Sequence, residues 1–294
     1  MKIGIHSRSM DPSKSAYILN IVKEIALREN VETWLSAELI EYITSSLPSE
    51  SLPTHIPFVG YDDLGPIDIL VSIGGDGTLL HSLTMVRERH IPILGINAGR
   101  LGFLATTSKD KVKTAVDALL NGYYTIEQRS MIALESNIDV FDGLNFGLNE
   151  FTILKRDTSS MIQVNTYLDG EYLNSYWSDG LIVSTPTGST GYSLSVGGPV
   201  VMPNTGNFII APVCPHNLNV RPLVVSDSSV ISFQIEGRSR NFLVSLDSRS
   251  KKVDDTVKLA VRKCPFYANL VKFNEDNFLS TLRLKLNWGI DARN

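Results

Sequence analysis

The chain has 294 residues, 43% of them apolar, enough for two domains with a core each, and its formal charge of −4 leaves no broad basic field for duplex nucleic acid or anionic membrane. Two cysteines, Cys214 and Cys264, are too few and too far apart for a disulfide framework or a zinc ribbon, and both read as buried small hydrophobes in a reducing compartment. No run approaches the roughly 20 apolar residues that span a bilayer, and the start Met1-Lys2-Ile3-Gly4-Ile5-His6 has no signal-like apolar region, so the expectation is a cytoplasmic protein.

In chain order, Ile3 to His6 predicts a strand, and Ala16 to Arg28 a helix with Ile18, Leu19, Val22, Ile25 and Ala26 on one face. A strand over Val31–Leu35, a helix over Ala37–Ser46, a strand from Ile67 to Ser72, a helical run from Leu79 to Arg89 and a strand over Ile91–Ile96 continue the alternation of a mostly parallel α/β sheet. A helix over Asp110–Leu120 closes this half. After Asn121-Gly122 the texture changes to short β-like runs, at Met131–Leu134, Glu150–Leu154, Ile162–Leu168, Gly180–Val183, Val230–Ile235, Phe242–Leu246 and Val257–Val261, which predicts an all-β domain. The expected division is 1–122, 123–270 and a tail, 271–294, whose stretch Phe278–Leu286 returns to the first domain.

Three segments carry candidate chemistry. Ile73-Gly74-Gly75-Asp76-Gly77-Thr78 joins a predicted strand to a helix, so glycines bring backbone N–H groups and a helix N-terminus toward one face, with a single carboxylate displayed there. That arrangement holds phosphate, although alone it is also an ordinary strand-to-helix connection, and it is neither a Walker loop nor a full Rossmann fingerprint. A second glycine turn, Asn97-Ala98-Gly99-Arg100-Leu101-Gly102-Phe103-Leu104, follows the adjacent strand, and ligands of open α/β sheets bind at such carboxyl ends. The third segment runs from Asp179-Gly180 through Thr185-Pro186-Thr187-Gly188-Ser189-Thr190-Gly191-Tyr192-Ser193-Leu194-Ser195 to Gly198-Pro199. Its hydroxyls both donate and accept, and Tyr192 offers a flat face to a base, which suits a nucleoside. No His/Cys/Asp/Glu set has zinc-site spacing and no Ser-His-Asp order can be assembled, so no metal ligand is assigned.

The ordered series of these segments, with Leu148-Asn149-Glu150, Ser178-Asp179-Gly180-Leu181, Pro215-His216-Asn217-Leu218 and Arg221-Pro222-Leu223, resembles the NAD kinases, which phosphorylate the 2′-hydroxyl of the adenosine ribose of NAD to give NADP. The resemblance spans nearly the whole chain. It implies an α/β domain that binds the phosphate donor, a β-sandwich-like domain that binds NAD, a site between them, and a homo-oligomer of two or four subunits. It implies ATP as donor, NAD as substrate and Mg²⁺ or another divalent ion on the donor phosphates. By this resemblance Asp76 would act as general base on the ribose hydroxyl or orient it, with Gly77 and His81 at the ligand. Asn149 and Glu150 would hold the dinucleotide, Asp179 would stand near the nicotinamide end, and Thr190, Gly191, Tyr192, Ser193, Leu194 and Ser195 would line the pocket.

The chain departs from the family's pattern at three places. Gly191 stands where many relatives have Ala, which reads as slightly roomier; Arg249, in Asp247-Ser248-Arg249, replaces a Gln; and Trp177 lies where relatives vary. Two other functions share part of the pattern. A lipid kinase of the diacylglycerol-kinase type has the Gly-Gly-Asp-Gly-Thr turn but needs a membrane-binding surface, and a non-catalytic NAD or NADP sensor needs the pocket but not Asp76.

Overall fold

The computed structural model describes residues 1–99, 101–156, 161–237, 240–274 and 277–289. It divides into two compact units: Met1–Gln128 together with the chain from Asn269 onward, and Arg129–Ala268. These boundaries lie at 128 and 268 where the sequence suggested 122 and 270.

The first unit alternates strand and helix through β1 (Lys2–His6), α1 (Ser15–Ala26), β2 (Glu32–Ser36), α2 (Ala37–Ser46), β3 (Ile56–Phe58), β4 (Ile69–Gly74), α3 (Asp76–Val86), β5 (Ile93–Asn97), α4 (Val112–Leu120) and β6 (Thr125–Arg129). Its seven-stranded sheet has the order β3-β2-β1-β4-β5-β19-β6, where β19 (Ala268–Lys272) enters after the second unit; the β3-β2-β1-β4-β5 run and the β5–β19 pair are parallel. Every residue of β4 is buried, as a strand covered on both faces requires. Ile18, Leu19, Ile21, Val22 and Ile25 of α1 bury against the sheet with Leu39 and Ile43 of α2 and Val116 and Leu119 of α4. The Ser36 hydroxyl starts α2 by accepting the Leu39 N–H at 3.3 Å. Helix α3 begins at Asp76, three residues before its apolar run, and ends at Val86, because Arg87 takes φ +45°. After the second unit the tail forms α6 (Phe278–Leu286) in the first, with Leu282 buried and Phe278 6.4 Å from the Phe103 ring.

The second unit holds β7 (Ile132–Ser136), β8 (Phe146–Gly147), β9 (Glu150–Lys155), β10 (Ile162–Leu168), β11 (Glu171–Ser178), β12 (Gly180–Ser184), the short α5 (Tyr192–Ser195), β13 (Asn207–Val213), β14 (Leu223–Ser226), β15 (Ile231–Gly237), β16 (Asn241–Leu246), β17 (Arg249–Asp254) and β18 (Leu259–Lys263). Two six-stranded sheets, β11-β10-β15-β18-β7-β8 and β14-β13-β12-β9-β16-β17, enclose a core that includes Phe151, Phe208, Phe233 and Phe242. Ile182, Ile209, Ala211 and Val213 form a second buried cluster, against which Val196 and Val201 of the hydroxyl-rich segment pack. Cys264 is buried as expected, but Cys214 is exposed: it takes φ +46° just past the end of β13, which turns it off the strand.

Candidate functional site

In the first unit the carboxyl end of β4 turns through Gly74 and Gly75 into α3, and Gly75 rather than a side chain caps the helix, leaving N–H groups open. A Cβ on Gly74 would fall 2.2 Å from the Thr78 hydroxyl, so the turn closes only on glycine, whereas Cβ atoms on Gly75 or Gly77 would meet open space. Beside this turn lies a cavity of about 500 Å³ lined by Ser9, Met10, Asp11, Lys14, Gly74, Gly75, Thr78, Ala98 and Gly99. Glycine backbone, one ammonium and the start of a helix converge there, which is a phosphate-binding chemistry. Asp11 and Thr78 add hard oxygen donors to the lining, so it also fits a hard cation carried in on phosphates.

Asp76 is held by the second glycine loop. Its Oδ1 accepts the Leu104 and Ala105 N–H groups, each at 3.0 Å, and its Oδ2 accepts the Phe103 N–H at 2.9 Å. A carboxylate offers about four lone-pair positions, so three amides fix it and leave one on Oδ2 for a further donor. Gly102 makes this possible, since a Cβ there would lie 1.9 Å from Asp76 Oδ1. Gly77 follows Asp76 at the helix start, while His81 turns its Nδ1 to His6 Nε2, 3.1 Å away. Arg100, in the same loop, lies outside the described residues.

The second unit repeats the device. Asp247, at φ +51° in the two-residue turn between β16 and β17, accepts the Leu148 N–H on Oδ2 at 2.8 Å and the Asn149 and Glu150 N–H groups on Oδ1 at 2.7 and 3.2 Å. Its own N–H donates to the Glu150 carbonyl at 3.0 Å, so the start of β9 is locked to this turn. The Asn149 carbonyl accepts from Thr185 N–H at 2.8 Å and sits so near Gly188 that a Cβ there would be 2.1 Å away.

Glu150 stands apart from these satisfied groups. Its Oε2 is buried with no hydrogen-bond partner, 3.3 Å from where a Cβ on Gly191 would stand. Burial first, and then the neighbouring Asp247 charge, push the Glu150 carboxyl up to about 8. Burial also raises Asp247, while its three amide donors and Arg249 work against that; Glu150, at about 8, holds its proton at neutral pH. A buried polar atom without a partner in an otherwise satisfied loop is a place for a ligand to complete.

The hydroxyl array follows in the same unit. Thr190 Oγ1 donates to the Thr187 carbonyl at 3.3 Å, Tyr192 is 38% exposed at the start of α5, and Leu194 and Ser195 continue that turn. Ser193 is buried and its Oγ has no partner, the second such atom in this region. At Gly191 an added Cβ would meet the Gly188 carbonyl at 3.2 Å as well as Glu150 Oε2 at 3.3 Å, so glycine leaves space there that Ala would take. Asp179 is not beside Glu150: it precedes β12, whose other end, Ser184, pairs with Glu150, and its carboxylate holds Lys155 Nζ at 2.6 Å. Arg249 donates to the Leu144 and Phe146 carbonyls beside the Phe146 ring.

A parallel α/β unit with one clamped carboxylate at a glycine turn, and a two-sheet β unit with an orphaned carboxyl among hydroxyls, fit a protein that binds nucleotides, and the comparisons make its class a kinase. Residues 62–124 match the ATP-NAD kinase N-terminal domain, and residues 148–273 match the ATP-NAD kinase C-terminal domain. The chain is 50% identical over 295 residues to the NAD kinase of Cytophaga hutchinsonii and 39% identical over 298 residues to that of Bacteroides fragilis, covering the whole of each. Among solved structures, an NAD kinase from Archaeoglobus fulgidus in complex with ATP superposes with a TM-score of 0.74 at 27% identity, covering 98% of this chain and 99% of that one. Yeast NADH kinase complexed with NADH shares the fold, with a TM-score of 0.87 at 22% identity over 99% of this chain and 88% of that one. The chain belongs to the ATP-NAD kinase family.

Proposed function

We propose that this kinase transfers the γ-phosphate of ATP to the 2′-hydroxyl of the adenosine ribose of NAD, and that Asp76 is the group that receives the hydroxyl's proton. The observation that carries the assignment is the clamp on Asp76, which fixes the carboxylate and leaves an Oδ2 lone pair for one more donor. An ordinary carboxylate is a weak base toward an alcohol, so it accepts the proton late, as bonding to phosphorus acidifies the hydroxyl. Phosphoryl transfer asks for positioning and charge neutralisation more than covalent help. In this reading the cavity beside the glycine turn takes the donor phosphates, with Lys14 and the open amides on their oxygens. Asp11 and Thr78 in the lining would hold a Mg²⁺ ion carried in on those phosphates, and the ion would supply charge neutralisation there.

Asn149 and Glu150 hold the dinucleotide, the protonated Glu150 donating to an acceptor that a charged carboxylate would repel. Thr190, Gly191, Tyr192, Ser193, Leu194 and Ser195 line the adenosine pocket, and Asp179, a strand's length from Glu150, serves the nicotinamide end of an elongated ligand. Among the described residues no helix is long and apolar enough to cross a membrane. We place the enzyme in the cytoplasm, which suits its two widely spaced cysteines, and, on the sequence resemblance, as a homo-oligomer. The test is NADP formation from NAD, ATP and Mg²⁺ by the purified protein, read with an NADP-specific dehydrogenase, beside a diacylglycerol vesicle assay. Product from NAD alone is the expected result; phosphorylated lipid, or NAD binding without product, would overturn it.

A further inference from the structure

Three side chains far apart in sequence meet in the first unit, away from the clamp on Asp76. His6 ends β1, Glu38 lies in the first turn of α2, and His81 is on α3. Because β1 lies between β2 and β4, the helices that follow those two strands both approach the end of β1. His6 is fully buried, with its Nε2 3.1 Å from His81 Nδ1 and 3.7 Å from Glu38 Oε2, and the three ligand atoms all lie within 4.8 Å of one another.

Those spacings are informative. Four ligands at 2.0–2.2 Å around a tetrahedral ion stand about 3.3–3.5 Å from each other. The two separations from His6 straddle that value, and the half-exposed Glu38 side chain is the one free to swing toward His81 and close the cluster, now within 4.8 Å, around an ion. His6 is also oriented for it: its Nδ1 is 2.9 Å from the Ser36 hydroxyl, which fixes the ring and aims the Nε2 lone pair at the other two ligands.

We propose that His6, Glu38 and His81 form a site for a borderline divalent transition-metal ion, Zn²⁺ foremost, that joins β1, α2 and α3. Two imidazoles and one carboxylate leave a fourth position for water on the side of Glu38, whose side chain is 47% exposed. The donor set selects against Mg²⁺, which takes oxygen ligands, so this ion is separate from the one carried by the phosphate donor. The ion replaces the His6–His81 contact, which needs the other tautomer at His81, and it competes with the Arg8–Glu38 pair at 3.8 Å, which is exposed and so worth little.

The test is a Co²⁺ titration of the full chain, stripped with chelator, in buffer with excess Mg²⁺ and no nucleotide, followed by displacement with Zn²⁺. One equivalent of Co²⁺ with intense visible d–d bands and no thiolate charge-transfer band is expected, together with a higher melting temperature in Zn²⁺. Glu38→Gln and His81→Gln should each weaken the ion at least tenfold while melting like the wild type without metal, and Glu38, half exposed, tolerates the change. Cys214→Ser with His216→Asn removes the exposed Cys-x-His pair and should leave the bands unchanged. Absence of the one-equivalent bands, their loss in the Cys214/His216 variant, or undiminished binding in both Gln variants would overturn the site. The result does not depend on which reaction the kinase performs.

Discussion

Asp76 in the first unit and Glu150 in the second are both carboxyl groups set by backbone turns, and their surroundings are opposite. Three amides fix Asp76 and leave a single lone pair open, whereas Glu150 Oε2 has no partner and its carboxyl titrates near 8. A clamped anion suits receiving a proton at a defined point; a buried, protonated acid suits donating a hydrogen bond to a bound molecule. Asp247 explains how one turn yields the second kind. It takes three amide donors while none reaches Glu150 Oε2, and its charge adds to the burial that already pushes Glu150 up.

The comparison can be broken at each supporting group. Asp247→Ala removes the acceptor of three N–H groups and should cost about 3 kcal/mol in chemical denaturation, while lowering the Glu150 pKa; wild-type stability would show the clamp is not holding the loop. Gly102→Ala places a methyl where Asp76 Oδ1 now stands and should lower kcat about 10²-fold, roughly 2.7 kcal/mol, with NAD affinity kept. An unchanged kcat would mean the position of Asp76 is unimportant. Glu150 sharpens the contrast through pH. Its pKa rises from an ordinary 4.5 to about 8 in the fold, so the native state binds more protons than the unfolded chain between those values. Its contribution to stability is therefore complete below pH 4.5 and declines toward pH 8, with a slope up to about 1.4 kcal/mol per pH unit, and Glu150→Gln should flatten that part of the profile. The smallest effect is expected of Gly191→Ala, whose methyl presses on Glu150 Oε2 and the Gly188 carbonyl by a few tenths of an ångström; a change in the KM for NAD of about threefold, without loss of kcat, is the expected reading.

Features that depend on neighbours along the chain were legible from sequence. The glycine turn before α3, the β–α alternation of the first unit and the strand at Ile162–Leu168 all rest on local pattern. The clamps were not, because they join Asp76 to amides 27–29 residues away and Asp247 to amides 97–99 residues away, across pairings no spacing reveals. The same reason hid the His6, Glu38 and His81 cluster, whose members follow no metal-binding interval. Glu150 was legible through the family resemblance alone; by local pattern it begins a strand, and its desolvation depends on the fold. Cys214 misled because it follows an apolar strand, yet the backbone turns there.

The central claim is that Asp76 performs the chemistry while the second unit's loop holds the dinucleotide. Its most direct test is NAD affinity by calorimetry beside single-turnover phosphoryl transfer in Asp76→Asn, with melting recorded because the Phe103 amide loses its acceptor. A Kd for NAD within about threefold of wild type and transfer slowed about 10²–10⁴-fold are expected. Transfer at the wild-type rate, or loss of NAD binding in a folded variant, would contradict it.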